Sequence, residues 1–404
     1  MTNIYLEKPF KTDFLNQLFF SQNLLGFDDG DFALIDQQLH RHQQLFSDPE
    51  IERNLLSQNE FLASFAISKA EDSSLTVQEA EQVYELLLAD ESYAFITAKL
   101  ARQGRLTRKD YEKLEFFNIA RVFRSLQRAE IVSIEQIDAA FILDLHRQLT
   151  AGLDLFATVL PHFDVYRAGQ WRNHDLVRVA DYVPAPHQLI VTGVAELLAW
   201  LQAQPSVTRV GVFHTALYAL HPFTNGNKRT CRVLEHLLLR LLGFNRKNLY
   251  STSYYYHQQK ARYYKYLLFS LQQKNLTHFV AFFQESLALS MLSVVKASIE
   301  LKRKQFLYRL SSDKQVRLVC KPLIKQRELQ FKNLLRRAKH KVSRQTFVNH
   351  LHSAVEQGIL HKRVSGRVTF YSLQTAPAQE LIFQNMLAYV QNKLDFIPDD
   401  IRLG

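Results

Sequence analysis

Two apolar runs with helical spacing, "TRVGVFHTALYAL" and "RVLEHLLLRLLG", meet across a stretch with no apolar period, "HPFTNGNKRTCR", residues 221–232. Apolar residues recurring every three or four positions form one stripe on a helix, and such a stripe must be buried against other elements. A junction between two such helices that holds one His, two Asn, one Gly, one Lys and two Arg in twelve positions is built for hydrogen bonding rather than packing. The fold around it must be helical, and the junction must serve something polar.

The helical period extends over most of the chain. "EFLASFAISKA" and "TVQEAEQVYELLLAD" carry it through residues 1–110, where Thr76 and Glu79 have the spacing of a capping box. "EFFNIARVFRSLQRA" continues it, and a helix beginning at Ser133 is expected to run through "DAAFILDLHRQL" towards Gly152. Between 156 and 190 the texture changes: "DVYRAGQWRNHDLVRVADYVPAPHQ" alternates Val and Tyr with polar groups and contains Pro184 and Pro186. Proline lacks a donor and disfavours helix before it, so a loop with a short β-hairpin is expected there. Helix resumes at "TGVAELLAWLQAQ", and Gly243 is placed to end the helix that follows the junction. From 301 onward, "QRELQFKNLLRRAKHK" and "SRQTFVNHLHSAVEQG" read as two short helices, followed by two strands in "ILHKRVSGRVTFYSL". Helix, turn, helix, hairpin is the layout of a winged helix-turn-helix.

Charge separates the two ends. In residues 301–370, 18 Lys and Arg face only Asp313, Glu328 and Glu356, a balance of +15, which leaves −4 for the rest of a chain whose net charge is +11. A basic module on a mildly acidic body suggests an anionic partner for the module. On its second helix, Arg344, Gln345 and Asn349 are candidates for base edges or phosphates, and Lys362, Arg363 and Arg367 on the wing for the backbone. DNA is the expected partner of residues 301–374, with dimerisation or protein docking as the other use of such a module. A low Gly and Pro content and 47% hydrophobic residues argue against disorder. Two cysteines, Cys231 and Cys320, are too few for a disulfide framework. The N-terminal residues have no signal-like pattern, and the apolar runs are read as too often interrupted by charge to span a membrane. A cytoplasmic setting is expected.

The junction itself can be read chemically. The first turn of a helix has backbone N–H groups without partners and partial positive charge, so "NGNKR" before "RTCRVLEHLLL" is an anion site. Gly226 lets backbone approach a ligand, and Arg229 and Arg232, three apart, can face one polyphosphate. His221, fixed by Pro222, suits the removal of a proton from an attacking hydroxyl. A base, a phosphate cradle and cationic clamps together fit phosphoryl or nucleotidyl transfer.

"HPFTNGNKR" resembles the signature of the Fic family, His-Pro-Phe-x-(Asp/Glu)-Gly-Asn-(Gly/Lys)-Arg with a further Arg three on. "LDLHRQLTAGL", "YRAGQWR", "DYVPAPHQ" and "STSYYYHQQKARYYKYL" extend the likeness over roughly residues 55–290. The resemblance implies a mainly α, Fic-type helical core with a β-hairpin flap, here joined to a C-terminal winged-helix domain. It divides the chain into an N-terminal helical region (1–110), a catalytic domain (111–295), the winged helix (301–374) and a helical tail (375–404). It implies transfer of AMP from ATP, with Mg²⁺ or Mn²⁺, to a Ser, Thr or Tyr hydroxyl of a target protein. His221 would be the general base, Phe223 a packing residue, and Gly226, Asn227, Lys228, Arg229 and Arg232 the ATP-phosphate site. Asp181, Tyr182, Val183 and Pro184 would form the flap that docks the target by strand addition. Homodimerisation is left open.

Two departures from the family pattern bear on activity. Asn225 stands at the metal position where the family has Asp or Glu, and a neutral amide is a poorer Mg²⁺ ligand than a carboxylate. In the inhibitory-type stretch beginning at Ser64, Ser68 stands where an Arg-pairing Glu is expected, with Glu71 one turn on, so a self-inhibitory clamp is expected to be weak or absent. Beside the adenylyltransferase reading stand a phosphotransferase, which the Lys228 variant allows, and a catalytically silent, DNA-binding regulator, which Asn225 allows.

Overall fold

The computed structural model describes residues 5–41, 48–71, 73–89, 96, 98–99, 102, 104–157, 160, 167–338 and 342–401. The described residues divide into two compact units, one made of residues 1–36 and 56–290, the other of residues 37–55 and 291–404.

The first unit is helical. In chain order its helices, or the parts of them that belong to it, are α1 (Asp29–Arg41), α2 (Pro49–Ser68), α3 (Val77–Leu88), α4 (Arg108–Arg128), α5 (Ala139–Leu149), α6 (Ile190–Ala203), α7 (Val207–Leu220), α8 (Asn227–Leu241), α9 (Thr252–Gln258), α10 (Lys260–Gln273) and α11 (Thr277–Leu310). The Thr76–Glu79 capping box opens α3 as its spacing predicts, with Glu79 N–H on the Thr76 hydroxyl at 3.2 Å and Thr76 N–H on the Glu79 carboxylate at 2.8 Å. The helix expected from Ser133 starts later. Ser133 opens only the short 3-10 turn Ile134–Gln136, and α5 begins after Asp138, whose carboxylate accepts the Phe141 N–H at 2.7 Å. Asp138 is the stronger local cap because its oxygen takes up a first-turn donor. The hairpin expected in 156–190 is minimal. Val179 and Tyr182 exchange backbone hydrogen bonds of 3.1 and 2.9 Å across a turn in which Ala180 has φ 50°. Within that segment, residues 158–159 and 161–166 lie outside the described residues.

α7 and α8 form the centre of this unit. From Val207 to Leu220 nearly every side chain of α7 is buried, and Leu234, Leu237 and Leu238 of α8 are below 2% exposed. α7 passes so close to α11 that Gly211 lies against the ring of Phe283. α11 carries an 18-residue window of mean hydropathy 1.4, long and apolar enough by composition to cross a membrane, where the sequence reading saw only interrupted runs. Since 83% of that window is buried inside the protein, core packing accounts for its apolar character.

The second unit contains α12 (Lys314–Cys320), α13 (Pro322–Lys325), α14 (Phe331–Ala338), α15 (Arg344–Glu356), α16 (Gln379–Gln391) and a sheet of β1 (Leu329–Gln330), β2 (Leu360–Ser365) and β3 (Val368–Leu373). The sheet order is β1-β3-β2, all antiparallel, with Leu329 opposite Tyr371 and Ser365 opposite Val368. Gly366, at φ 59°, and Arg367 make the two-residue turn. Val316, Val319, Leu323, Leu334, Phe347, Leu351, Ile359 and Leu360 form its core. Arg303, 2% exposed, meets Glu380 at 2.6 Å.

The contact at Gly211 gives a stability test. A methyl group there would stand 2.6 Å from Cδ1 of Phe283, a ring with no exposure and so little room to yield. Alanine normally stabilises a helix by about 1 kcal/mol over glycine. Gly211→Ala is nevertheless expected to destabilise by about 1–3 kcal/mol through overpacking, measured by urea denaturation.

Candidate active site

α7 ends because His221 adopts the left-handed conformation, φ 50° and ψ 60°, and Pro222 follows it. α8 starts after Gly226, at φ 79°. A side chain at 226 would be strained by that angle and would approach Nε2 of His146 to 3.2 Å. Between these two points the loop is held from three sides.

The first hold is Phe223. Its ring has no exposure and lies between His146, stacked at 3.7 Å and 1°, and Trp171 at 5.0 Å. Asn227 fastens the backbone of the same residue: Phe223 N–H donates to Asn227 Oδ1 at 3.0 Å, and Asn227 Nδ2 donates to the Phe223 carbonyl at 2.8 Å. The second hold is His146 itself. Gly169 N–H donates to its Nδ1 at 3.0 Å, so Nε2 carries the proton and donates to the Asn225 carbonyl at 3.0 Å. Burial pushes this imidazole down to about 4, so it is neutral at physiological pH.

The third hold is Arg172, 3% exposed, whose position in "YRAGQWR" carries no signal of its role. Its Nε donates to the His221 carbonyl at 2.8 Å and its Nη2 to the Leu220 carbonyl at 3.2 Å, while its own N–H donates to the Pro222 carbonyl at 2.9 Å. The same guanidinium binds the His174 carbonyl at 2.7 Å, the Asp175 carboxylate at 3.0 Å and the Ala185 carbonyl. One buried cation thus ties the segment around the hairpin to the end of α7.

Above this loop lies a cavity of about 590 Å³, within the ~300–1,000 Å³ usual for small-molecule and cofactor sites. His221, Thr224, Asn225, Gly226, Asn227 and Lys228 line it from the loop and the start of α8, Tyr218 from α7, Tyr264 and Leu267 from α10, and residues 176–180 from the hairpin side. His221 is 8% exposed, and its ring meets Tyr218 edge-on at 5.2 Å. Lys228 Nζ lies 3.3 Å from both the Ala70 carbonyl and the Tyr264 hydroxyl, and 5.2 Å from the centre of the Tyr264 ring. The cavity therefore combines a histidine, a helix N-terminus and an ammonium group.

The two arginines of the junction are placed elsewhere. Arg229 has no exposure and meets the buried Glu115 of α4 at 2.9 Å. Arg232, 2% exposed, sits over the rings of Tyr263 at 4.2 Å and Tyr256 at 5.3 Å and donates to the Ala66 carbonyl at 3.3 Å. Ser68 sends its hydroxyl back to the Phe65 carbonyl at 2.9 Å, and the Glu71 side chain lies outside the described residues. On the hairpin side, Leu176–Ala180 line the cavity, whereas Asp181, Tyr182 and Val183 line a separate hollow of about 380 Å³ with Phe14 and Leu271, and Pro184 is buried. The Tyr182 hydroxyl donates to the Ala219 carbonyl at 3.3 Å. In the second unit, Arg344, Gln345, Asn349, Lys362, Arg363 and Arg367 are all exposed, with Arg363 paired to Glu328 at 2.6 Å.

His146 gives the site a pH signature. Its folded pKa, about 4, lies below the ordinary 6.5, so the unfolded chain takes up this proton first as pH falls. The stability that depends on neutral His146 is complete above pH ~6.5 and is lost between ~6.5 and ~4, a loss on the order of 3 kcal/mol. Urea midpoints measured across that interval should fall for the wild type and fall less steeply for His146→Gln.

Residues 136–239 match the model of the Fic/DOC family. The chain is 31% identical over 108 residues to the protein adenylyltransferase fic-1 of Caenorhabditis briggsae, covering 26% of this chain and 19% of that one. To the protein of the same name from Caenorhabditis elegans it is 29% identical over 115 residues, covering 27% and 20%. To the protein adenylyltransferase Fic of Drosophila mojavensis it is 28% identical over 141 residues, covering 34% and 27%. The chain thus spans about a fifth to a quarter of the length of these curated relatives. Among solved structures, a Fic family protein from Desulfovibrio desulfuricans aligns with a TM-score of 0.48 at 20% identity, covering 86% of this chain and 95% of that one. A fragment of Fic-1 from Caenorhabditis elegans aligns with a TM-score of 0.47 at 20% identity, covering 66% and 70%. The loop pinned by Phe223, the whole of α7 and nearly all of α8 lie within residues 136–239, the part of the chain that matches the Fic/DOC family model.

Proposed function

We propose that this protein is an ATP-dependent protein adenylyltransferase. The observation that carries the reading is the gathering of His221, the first turn of α8 and Lys228 around one cavity. In the reaction, the imidazole of His221 takes the proton of a Ser, Thr or Tyr hydroxyl of the target. The freed oxygen attacks the α-phosphorus of ATP, the bond to the bridging oxygen breaks, and pyrophosphate leaves with that electron pair. Backbone N–H groups at the start of α8 and the Lys228 ammonium offset the charge that develops on the phosphates. Residues 176–180, which line the cavity, are the segment best placed to align the target. Cys231 and Cys320 are free and buried, in keeping with the cytoplasmic setting proposed with this activity.

Label from α-phosphate-labelled ATP should reach protein, self-modification included, and His221→Ala should lower it by at least ~10²-fold, the usual worth of a general base. Transfer of γ-label instead would support the phosphotransferase, and nucleotide binding with no transfer the silent regulator.

We further propose that residues 301–374 form a winged helix that binds DNA. Arg344, Gln345 and Asn349 are exposed on α15, and β2 exposes Lys362. Arg363 on the β2–β3 hairpin is engaged by the Glu328 carboxylate, whereas among the described residues Lys362 and Arg367 have no carboxylate within ion-pair distance, so they are the better candidates for phosphate contacts. The double variant Lys362→Ala/Arg367→Ala of the full chain should weaken binding to random duplex DNA and reduce the dependence of log affinity on log salt by about 2. An unchanged salt slope in a mobility-shift titration would remove the wing from the interface.

A further inference from the structure

The resemblance to Fic proteins brings Mg²⁺ with it, so the groups around the cavity must be asked whether they fit a divalent cation. The residue at the metal position, Asn225, offers two neutral oxygens, and each already accepts one hydrogen bond. Its side-chain Oδ1 accepts the N–H of Gly226 at 2.7 Å, and its carbonyl accepts Nε2–H of His146 at 3.0 Å. Among the described residues that line the cavity there is no Asp or Glu, while Lys228 and Arg178 both line it. Mg²⁺ requires near-octahedral oxygen ligands and is usually held by one or two carboxylates together with substrate phosphates. A divalent cation entering here would find neutral oxygens already engaged and two like charges nearby. The donor set does not fit the ion.

We propose that the site takes its nucleotide without a divalent cation, the Lys228 ammonium standing in for the metal's charge. This rests on the reading of the cavity as a nucleotide site. Lys228 suits the role because it is held rather than loose: the Ala70 carbonyl and the Tyr264 hydroxyl lie 3.3 Å from Nζ, and the Tyr264 ring beneath it stabilises a cation. It leaves α8 one residue after Asn227, where the helix's free N–H groups already attract anions. The ligand class is accordingly a nucleoside polyphosphate bound as the free anion, its charge met by Lys228, by Arg178 and by backbone N–H groups. No bond is made or broken in this step.

Equilibrium binding of ATP to the full chain, measured by isothermal titration calorimetry with Mg²⁺ and again with excess EDTA, tests the proposal without a mutation. The expected result is the same Kd in both within about twofold. Lys228→Ala should weaken binding about tenfold in both buffers, the worth of one charge-assisted contact. Asn225→Asp, with the carboxylate restored, should bind about tenfold more tightly with Mg²⁺ than with EDTA. A wild-type Kd that weakens tenfold or more in EDTA overturns the proposal and leaves the adenylyltransferase reading standing. An Asn225→Asp chain that still ignores Mg²⁺ overturns the assignment of the effect to residue 225. Absence of binding in both buffers sinks the nucleotide reading itself, and this inference with it.

Discussion

The burial of one phenyl ring organises the site. Phe223 lies in the middle of a six-residue connection that would otherwise be a polar loop between two apolar helices. With its ring between His146 and Trp171 and its backbone fastened by Asn227, the positions of residues 221 to 226 follow. Burying a phenylalanine gains about 1.5–3 kcal/mol, and stacking adds to that. The gain comes at the point where the chain must leave one helix in the left-handed conformation at His221 and enter the next through Gly226. A non-glycine residue at φ 50° is held there only by its surroundings. Here the surroundings are the stacked ring on one side and the Arg172 hydrogen bonds to the Leu220 and His221 carbonyls on the other.

The pinned loop explains why neutral polar groups dominate it. His146 must remain neutral so that Nδ1 can accept from Gly169 while Nε2 donates to Asn225, and burial supplies that condition. A protonated ring would turn an acceptor into a donor and set it against the Gly169 N–H. Two of the site's histidines thus stand in different settings. His146 is a fixed support beneath the loop, and His221 lines the cavity.

Much of this was legible in the sequence, and what was not has a common cause. The helices around the junction follow from apolar period, the capping box at Thr76 from spacing, and the polar loop from its composition. The start of α5 differs from the expected one because Ser133, a good cap residue, opens only a short turn, while Asp138 five residues on accepts a first-turn donor, the Phe141 N–H. The supports were invisible because their partners are distant in sequence: Arg172 acts 49 residues before His221, and His146 acts 79 before Asn225. The arginines are the clearest case. Spacing places Arg229 and Arg232 on one helical face and says nothing of Glu115 or of the tyrosines at 256 and 263 that meet them.

That distribution of cations carries a physical consequence. A buried guanidinium must be paired or stacked, because the cost of an uncompensated buried charge is several kcal/mol. Arg229 satisfies this through Glu115, and Arg232 through two aromatic faces and a helix carbonyl. Both therefore serve the packing of α8 against its neighbours in this arrangement. Of the motif's three cations, Lys228 is the one that lines the cavity, where it meets the Ala70 carbonyl, the Tyr264 hydroxyl and the Tyr264 ring. The positive charge at the site thus comes from Lys228 of the motif, from Arg178 on the hairpin side and from the start of α8, with Asn225 contributing shape in place of charge.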